Sequence, residues 1–564
     1  MTGGLMQLVG KGAQDQLVNG NPSFTHFRSV YKRHTDFAME HFRLYFKTTN
    51  INLPQSGTLT LRAKIERYAQ LLHDCYLNVQ LPDIFSPVVP VANPPSSVNG
   101  TSSAIGYEFE WIKNIGYNMI NYVAILINGQ EIVRHTGEWM KLYSYLKFDA
   151  NKRAILDTMV GNVPEMYDPA NAYDRMNQYP HAISTASSLA APSIQGRTLT
   201  IPLHFWFCEN IGSALPLIAL QQSECEFVVE LKNMYQLFTV RDVNPSSPTY
   251  GNRIAPDSSS TLFQIPHFLS PPTFADPTIP TNQGLALWKL NPFMECNYIF
   301  VTDTELAHIA KTDHSFIIQQ VDSVTKEGQY GASNDTELTM RNLGTRVVWV
   351  SQRNDLSNDY DNYTNWIDST KPPLDSTTLP AMTPWYSSGN AQSTNVSNRD
   401  ILLESNIILD GKDRFGVKQT PFFSQIQPYR HQTGNSSALA GLYVYSFALD
   451  HHTTQPSGQI NGSQFNKTIL RNTYVQPPFS SSGIVGPTQV CILRSTANSP
   501  NPTVVNPNAV GSNGQLLYSP NDLVTVIRKG SAQTYSYTFT TRVYVESYNF
   551  LRVLGGVANV VFSS

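Results

Sequence analysis

The chain has 564 residues, and its 39 lysines and arginines against 42 aspartates and glutamates leave a formal charge of −3, too balanced for the whole chain to condense onto a phosphate backbone. Only 14% of residues are charged and 11% are aromatic, a composition that suits many strands joined by polar loops rather than helical or disordered chains. No apolar run approaches the roughly 20 residues of a membrane-spanning helix, and the N-terminus lacks the basic-then-apolar order of a signal peptide, so a soluble product made in the cytosol is expected.

The first fifty residues lean basic. Lys11, Arg28, Lys32, Arg33, Arg43 and Lys47 stand against Asp15, Asp36 and Glu40, a local excess that suits either an acidic surface or a solvated turn. GLMQLVGKGA, from Gly4, invites comparison with a phosphate-binding loop. It has five residues where that loop needs four between its glycines, and no Ser or Thr follows Lys11, so nucleotide binding is not expected.

YVAILINGQEI then places Asn128-Gly129 between two apolar runs, a hairpin signal because both turn positions need positive φ. Trp139, Leu142, Tyr143 and Leu146 are spaced to line one face of a short helix. In LTIPLHFWF, Ile201, Leu203, Phe205 and Phe207 share one parity and read as a single strand, and CEFVVELK reads as another. Thr302 and Glu305 suggest a capping box opening a second short helix. Near the C-terminus, Tyr535, Tyr537 and Phe539 alternate with polar residues as on a sheet with one buried face.

The order of these elements repeats. Asn128-Gly129, Trp139, the strand around Phe205, a turn holding Pro216 and CEFVVELK come in the first half. Asp410-Gly411, Phe422-Phe423, LYVYSFAL, a turn of Gln455, Pro456, Ser457 and Gly458, and NKTILRNTY come in the second. Two copies of one β unit is the economical reading. Between strands lie long stretches poor in apolar periodicity, near Pro90, Pro248 and Pro500 and from Asp355 to Arg399. These read as surface loops.

Signals for chemistry are weak. The five cysteines, Cys75, Cys208, Cys225, Cys296 and Cys491, are widely spaced and read as buried free thiols. No motif for a nucleotide, a metalloprotease zinc or a hydrolase serine is present, and no cofactor is expected. Glu209, Glu224, Glu226 and Asp450 leave open a carbohydrate-binding or glycoside-cleaving sandwich, since two carboxylates facing across a cleft perform that chemistry. In FALDHHTTQPSG, adjacent His451 and His452 point to opposite faces of an extended chain, which favours a turn-capping role over a metal site.

GGLMQLVGKGAQDQLVNGNPSFTHFRSVYKRHTDFAME resembles the opening of the major capsid proteins of nucleocytoplasmic large DNA viruses. LHFWFCENIGSALPLIALQ, NYIFVTDTELAHIAKTDHSFIIQQV, RVVWVSQ, ILDGKDRF, YVYSFALDHHTTQPSG and VYVESYNFLRVLGGVANVVFS resemble later family segments in the same order. His451 and His452 stand where that family commonly has a basic or acidic residue.

The resemblance implies an all-β chain of two tandem eight-stranded jelly rolls, a double jelly roll, with short inserted helices and long loops. It implies an N-terminal inward-facing segment over 1–25, a first jelly roll over 26–320 and a second over 321–564. The implied role is structural rather than enzymatic: a homotrimer forming a pseudo-hexagonal capsomer that tiles an icosahedral shell. Asn128, Gly129, Pro216, Asp410, Gly411, Gln455, Pro456, Ser457 and Gly458 would be the signature turns, and Lys11, Arg28, Lys32 and Arg33 an inner-face basic segment. Implied partners are other copies, neighbouring capsomers, minor capsid and penton proteins, and an internal membrane. The implied location is the outer shell of the virion, after synthesis in the host cytoplasm.

Overall fold

The computed structural model describes residues 3–48, 52–86, 108–175, 179–183, 187–241, 253–254, 256, 265–272, 288–354, 360–365, 385–386, 400–451, 455–475, 489–494, 503–504, 523–528 and 538–562. Two β-sandwiches account for most of them. In the first, one sheet runs in the order Phe37–Tyr45, Phe293–Val301, Leu71–Gln80, Thr198–Pro202, with Leu215–Pro216 also paired to Leu71–Gln80. The facing sheet runs Leu59–Lys64, Cys225–Leu231, Ile120–Ile127, Gln130–Thr136.

The second sandwich repeats the plan. One sheet runs His314–Gln329, Phe539–Leu554, Leu343–Arg353, Leu442–Ser446, extended by Ile460–Asn461 and Val557–Val560. The other runs Asn334–Glu337, Thr468–Tyr474, Leu402–Leu409, Lys412–Asp413, with Lys418–Gln419 beside Leu402–Leu409. If the eight main strands of each sandwich are counted in chain order, both have sheets ordered 1-8-3-6 and 2-7-4-5. The repeat read from the sequence is therefore a repeat of topology.

Burial follows the pleat where one face meets the core. In Leu59–Lys64, Leu59, Leu61 and Ala63 are buried while Thr60, Arg62 and Lys64 are exposed. Facing side chains of the two sheets fill a large first core that includes Leu61, Leu77, Val123, Phe227 and Met294, and a smaller second core around Trp349, Phe423, Tyr443 and Leu470. Phe539–Leu554 departs from alternation because both its faces are covered through the middle of the strand. Val543 and Val545 point into the second core, while Tyr544 packs against Trp139 with ring centroids 5.5 Å apart and the rings tilted by 38°. Tyr535 and Tyr537 lie outside the described residues.

Three local expectations change. LTIPLHFWF is not one strand: pairing ends at Pro202, opposite Tyr76, and Trp206–Glu209 forms a helical turn. Continued in register, Trp206 and Phe207 would face Leu72 and Leu71, but those positions are taken by Leu215 and Pro216, so the chain must leave the sheet before them. All four apolar residues remain buried. The Asp303–Lys311 helix forms, but Thr302 makes no side-chain cap; its hydroxyl meets that of Thr304 at 3.2 Å instead.

The third change concerns the long stretches expected as loops, which carry strands of their own. Arg253–Ile254 joins Phe238–Arg241 and Glu108–Trp111, and in a further sheet Trp385–Tyr386 pairs with Leu523–Arg528 and Thr503–Val504 with Gln489–Arg494; the two longer strands flank the Pro500 stretch, and only the two-residue ones lie within the expected loops. Segments this short, set among prolines, give no periodic signal to read. The stretch around Pro90 and most of the other three lie outside the described residues.

Candidate functional site

Both hairpin turns adopt the left-handed geometry their sequences demand. Asn128 and Gly129 have φ of 52° and 78°, and Asp410 and Gly411 have 46° and 80°. Each turn is tied to the chain at the start of the same strand of its sandwich. The Asn128 side-chain oxygen accepts from the Glu224 amide at 2.9 Å, and the Asp410 carboxylate accepts from the Lys467 amide at 2.8 Å. A backbone bond runs back in both cases, from Asn128 to Glu224 and from Asp410 to Lys467. Asn and Asp serve here because a short side-chain acceptor can reach a neighbouring amide while the backbone sits at positive φ.

The two proline turns differ. Pro216 is buried in a two-residue strand, whereas Gln455 and Pro456 are exposed. Ser457 accepts from the Asp450 amide at 2.8 Å and donates to the Asp450 carbonyl at 2.6 Å. The built position for a side chain on Gly458 lies 3.1 Å from the Phe447 carbonyl, so this turn folds closely onto the preceding segment. His451 is buried, with its Nε2 2.5 Å from the Ser446 hydroxyl; His452 lies outside the described residues. Among the described residues no group of three or more His, Cys, Asp or Glu is placed to hold a metal ion.

The carboxylates that a glycosidase reading would use are bound elsewhere. Glu226 pairs with Lys47 at 2.6 Å and Glu224 with Lys64 at 3.0 Å, both at the start of Cys225–Leu231. Glu209 holds His204 Nδ1 at 3.0 Å and pairs with Lys147. None of these three, nor Asp450, lines either of two surface hollows, of about 560 and 290 Å³, one beside Met340 and Gly462 and the other beside Gln222 and Gly556.

Residues 3–41 are exposed throughout, and Lys11, Arg28, Lys32 and Arg33 all lie in this arm ahead of or entering the first strand. Its short helices Gly3–Val9 and Gln16–Asn19 bury nothing. The arm also displays large apolar groups: Leu17 is 90% exposed and Phe27 fully so. Such a run of uncovered apolar and basic side chains is a surface made for contact rather than for the chain's own core. No helix among the described residues is long and apolar enough to cross a membrane.

The feature that sequence reasoning misses is the seam between the sandwiches. The helix Gly137–Lys147 leaves the first sandwich and lies on the outer face of the second, where Trp139, Leu142, Tyr143 and Leu146 pack with Val348, Val350, Leu442, Val444 and Tyr544. Backbone bonds continue the join, from Gly434 to Leu146 and from Asn435 to Phe148. Gly434 is needed there, because any side chain would fall 2.4 Å from Leu146 backbone atoms.

Charged groups are buried along the same seam. Lys141 Nζ meets Asp361 at 2.5 Å, Tyr363 OH at 2.9 Å and Asn118 at 3.2 Å. Glu138 accepts from Tyr363 OH at 2.6 Å and Tyr544 OH at 2.5 Å and pairs with Arg542 at 2.5 Å. Burial alone would raise the Glu138 carboxyl, but the Arg542 and Lys141 charges outweigh it and bring it down to about 2. Burial likewise opposes ionisation of Asp361, and Lys141 reverses it, holding Asp361 below the usual carboxylate range. Further along, Arg346 pairs with Glu546 and bonds Gln432 at 2.9 Å, with its guanidinium over the rings of Trp139 and Tyr143. The helix GEWMKLYSYLK carries Glu138 and Lys141 beside its apolar face, and covering that face brings Lys141 into the interior, where it takes a charged partner.

A family model described as "Major capsid protein N-terminus" matches residues 25–265, and one described as "Large eukaryotic DNA virus major capsid protein" matches residues 305–486. A major capsid protein of Phaeocystis pouchetii virus is 26% identical over 535 residues, covering 84% of this chain and 92% of its own. That of Paramecium bursaria Chlorella virus 1 is 24% identical over 569 residues, covering 100% of both. Among solved structures, PBCV-1 VP54, in a crystal structure fitted into a reconstruction of the virophage Sputnik, superposes with a TM-score of 0.60 at 20% identity, over 96% of this chain and 100% of that one. The Faustovirus major capsid protein superposes with a TM-score of 0.58 at 12% identity, over 94% and 93%. At these identities the superpositions speak for the fold, a double jelly roll.

Proposed function

Because this chain belongs to the major capsid protein family of large eukaryotic DNA viruses, we propose that three copies close around a threefold axis into one capsomer of an icosahedral shell. The protein is a structural component of the virion. One observation carries the trimer: both sandwiches have the same 1-8-3-6 and 2-7-4-5 sheet order. Three chains with two like sandwiches each put six similar walls in a ring, and a ring of six tiles a flat facet.

Each wall is stiff because its strands are paired over long registers, as in His314–Gln329 with Phe539–Leu554. Contacts between copies are heterologous, one face meeting a different face of the next, and close at three. We divide the chain into an arm over 1–25 and two jelly rolls; the boundary expected between 320 and 321 falls inside His314–Gln329, the strand that opens the second sandwich, and so moves ahead of His314. The long segments between strands form the outer crown and clasp neighbouring copies. The signature turns hold the sandwiches in shape.

The basic, apolar arm faces inward, toward minor capsid proteins or an internal membrane, and penton proteins fill the vertices. Synthesis is in the host cytoplasm, and neither catalysis, a cofactor nor direct contact with the genome has a part. The engagement of Glu209, Glu224 and Glu226 in ion pairs supports a non-enzymatic role.

Purified protein is expected to run at about three times the 63.0 kDa chain mass and to appear in electron micrographs as a hexagonal, three-towered particle. A stable monomer at micromolar concentration would sink the trimer. Deleting residues 1–25 is expected to leave the trimer and its thermal midpoint unchanged, since none of the described residues of that stretch is buried, while shell assembly fails. Normal shells from the truncated chain would remove the arm from assembly.

A further inference from the structure

Three of the cysteines converge on one spot of the first sandwich. Cys75, in Leu71–Gln80, and Cys296, in Phe293–Val301, are register partners on adjacent antiparallel strands, and both are buried. The Cys75 thiol donates to the His73 carbonyl at 3.2 Å. Cys208 reaches the same place from the helical turn Trp206–Glu209. That turn is pinned to the strand two residues from Cys75, where His73 Nδ1 donates to the carbonyl of Phe207 at 2.5 Å. The neighbouring Cys208 and Cys296 thiols both act on the Cys75 thiol in the direction that keeps it protonated. Cys208 alone of the three is partly exposed.

We propose that Cys208 and Cys75 are an oxidation site, at which hydrogen peroxide converts the two thiols into an intrachain disulfide. The unequal exposure sets the order. Cys208, reached from solvent, attacks peroxide as its thiolate; the O–O bond breaks, giving a sulfenic acid on Cys208 and, with one proton, a water. The Cys75 sulfur then attacks the Cys208 sulfur. An S–S bond forms, the S–O bond breaks, and the departing hydroxide takes the Cys75 proton as a second water. Two thiols and one peroxide thus become one disulfide and two waters. Burial and the neighbouring thiols push the Cys75 thiol well above its ordinary value, so it stays protonated and inert until a sulfenic acid stands beside it.

Burial as inert core thiols is the competing account, and it fits Cys225, which is buried and outside this trio. It does not explain why a partly exposed thiol is brought against a buried pair. The link would fasten Trp206–Glu209, and with it the Glu209 carboxylate that holds His204 and Lys147, to the centre of a sheet. A protein carried in a virion leaves the reducing cytosol, which is when such a fastening has use. The chemistry itself does not depend on assembly.

The test exposes the full-length protein to hydrogen peroxide, blocks remaining thiols by alkylation and maps peptides by mass spectrometry without reduction. A Cys75–Cys208 linked peptide is expected, reversed by dithiothreitol, absent in Cys208→Ser and retained in Cys225→Ser. Thiols that all remain open to alkylation after unfolding would overturn the proposal. So would a Cys75–Cys296 link formed equally well in Cys208→Ser. The map of the unaltered protein decides between these outcomes even if a variant folds poorly.

Discussion

Arg346→Met is expected to destabilise the protein by roughly 3–5 kcal/mol, because it strands the Glu546 carboxylate in the seam without a counter-charge. The two residues are register partners on Leu343–Arg353 and Phe539–Leu554, and their side chains are 0% and 2% exposed. Water cannot reach the carboxylate to compensate for the lost guanidinium. Glu546→Leu is expected to cost a similar amount, since Arg346 would keep only the Gln432 bond and its place over Trp139 and Tyr143.

The double variant Arg346→Met/Glu546→Leu is the informative one. Removing both charges removes both desolvation costs, and a well-packed apolar pair commonly does as well as a buried ion pair or better. Its stability should return to within about 1–2 kcal/mol of the parent, giving a large coupling energy in a double-mutant cycle. Denaturant midpoints read at one protein concentration supply the comparison, because association shifts apparent stability. If the double variant is as unstable as the sum of the singles, the two residues do not act as a pair and the seam is held by its apolar contacts alone.

The seam also shows where a sequence stops being readable. Local chemistry was legible: Asn128-Gly129 and Asp410-Gly411 form the positive-φ turns their residues require, and the Trp139 helix forms on its predicted face. The duplicated strand order was legible because each turn and strand has a local signature that recurs. Pairing over long distances was not. Nothing near Lys141 announces Asp361, because that contact exists only once one sandwich lies on the other, and nothing near Arg346 announces Glu546, 200 residues away on the neighbouring strand of the same sheet. The Phe205 strand fails for the same reason, since only the pairing of Leu215–Pro216 with Leu71–Leu72 shows that the sheet has no place for it. The carboxylates Glu209, Glu224 and Glu226 looked alike in sequence, and only their partners distinguish them.

Acid is expected to weaken the protein in two separate steps, each with a named group. Burial pushes His135 down to about 4, and it pushes His204 well below its ordinary value, helped by the Lys147 charge. In an unfolded chain both would titrate near 6.5. The sign follows from proton counting: below about pH 6.5 the unfolded state binds protons that the folded state refuses, so stability falls as pH falls.

By about pH 5 the His135 contribution alone is roughly 2 kcal/mol, and His204 acts in the same direction. The second step belongs to Glu138, whose folded value of about 2 lies below its unfolded value near 4.3. Its contribution is whole above that unfolded value and is lost as pH drops toward 2. Denaturant midpoints taken from about pH 7 to pH 3 should therefore decline in two stages, and His135→Gln should shrink the upper stage to the His204 part while leaving the lower one. A midpoint that stays level between about pH 6.5 and pH 4.5 would mean that the buried imidazoles gain protons in the folded state. The hydrogen bonds of His204 to Tyr117 and Glu209 would then have to be those of an imidazolium.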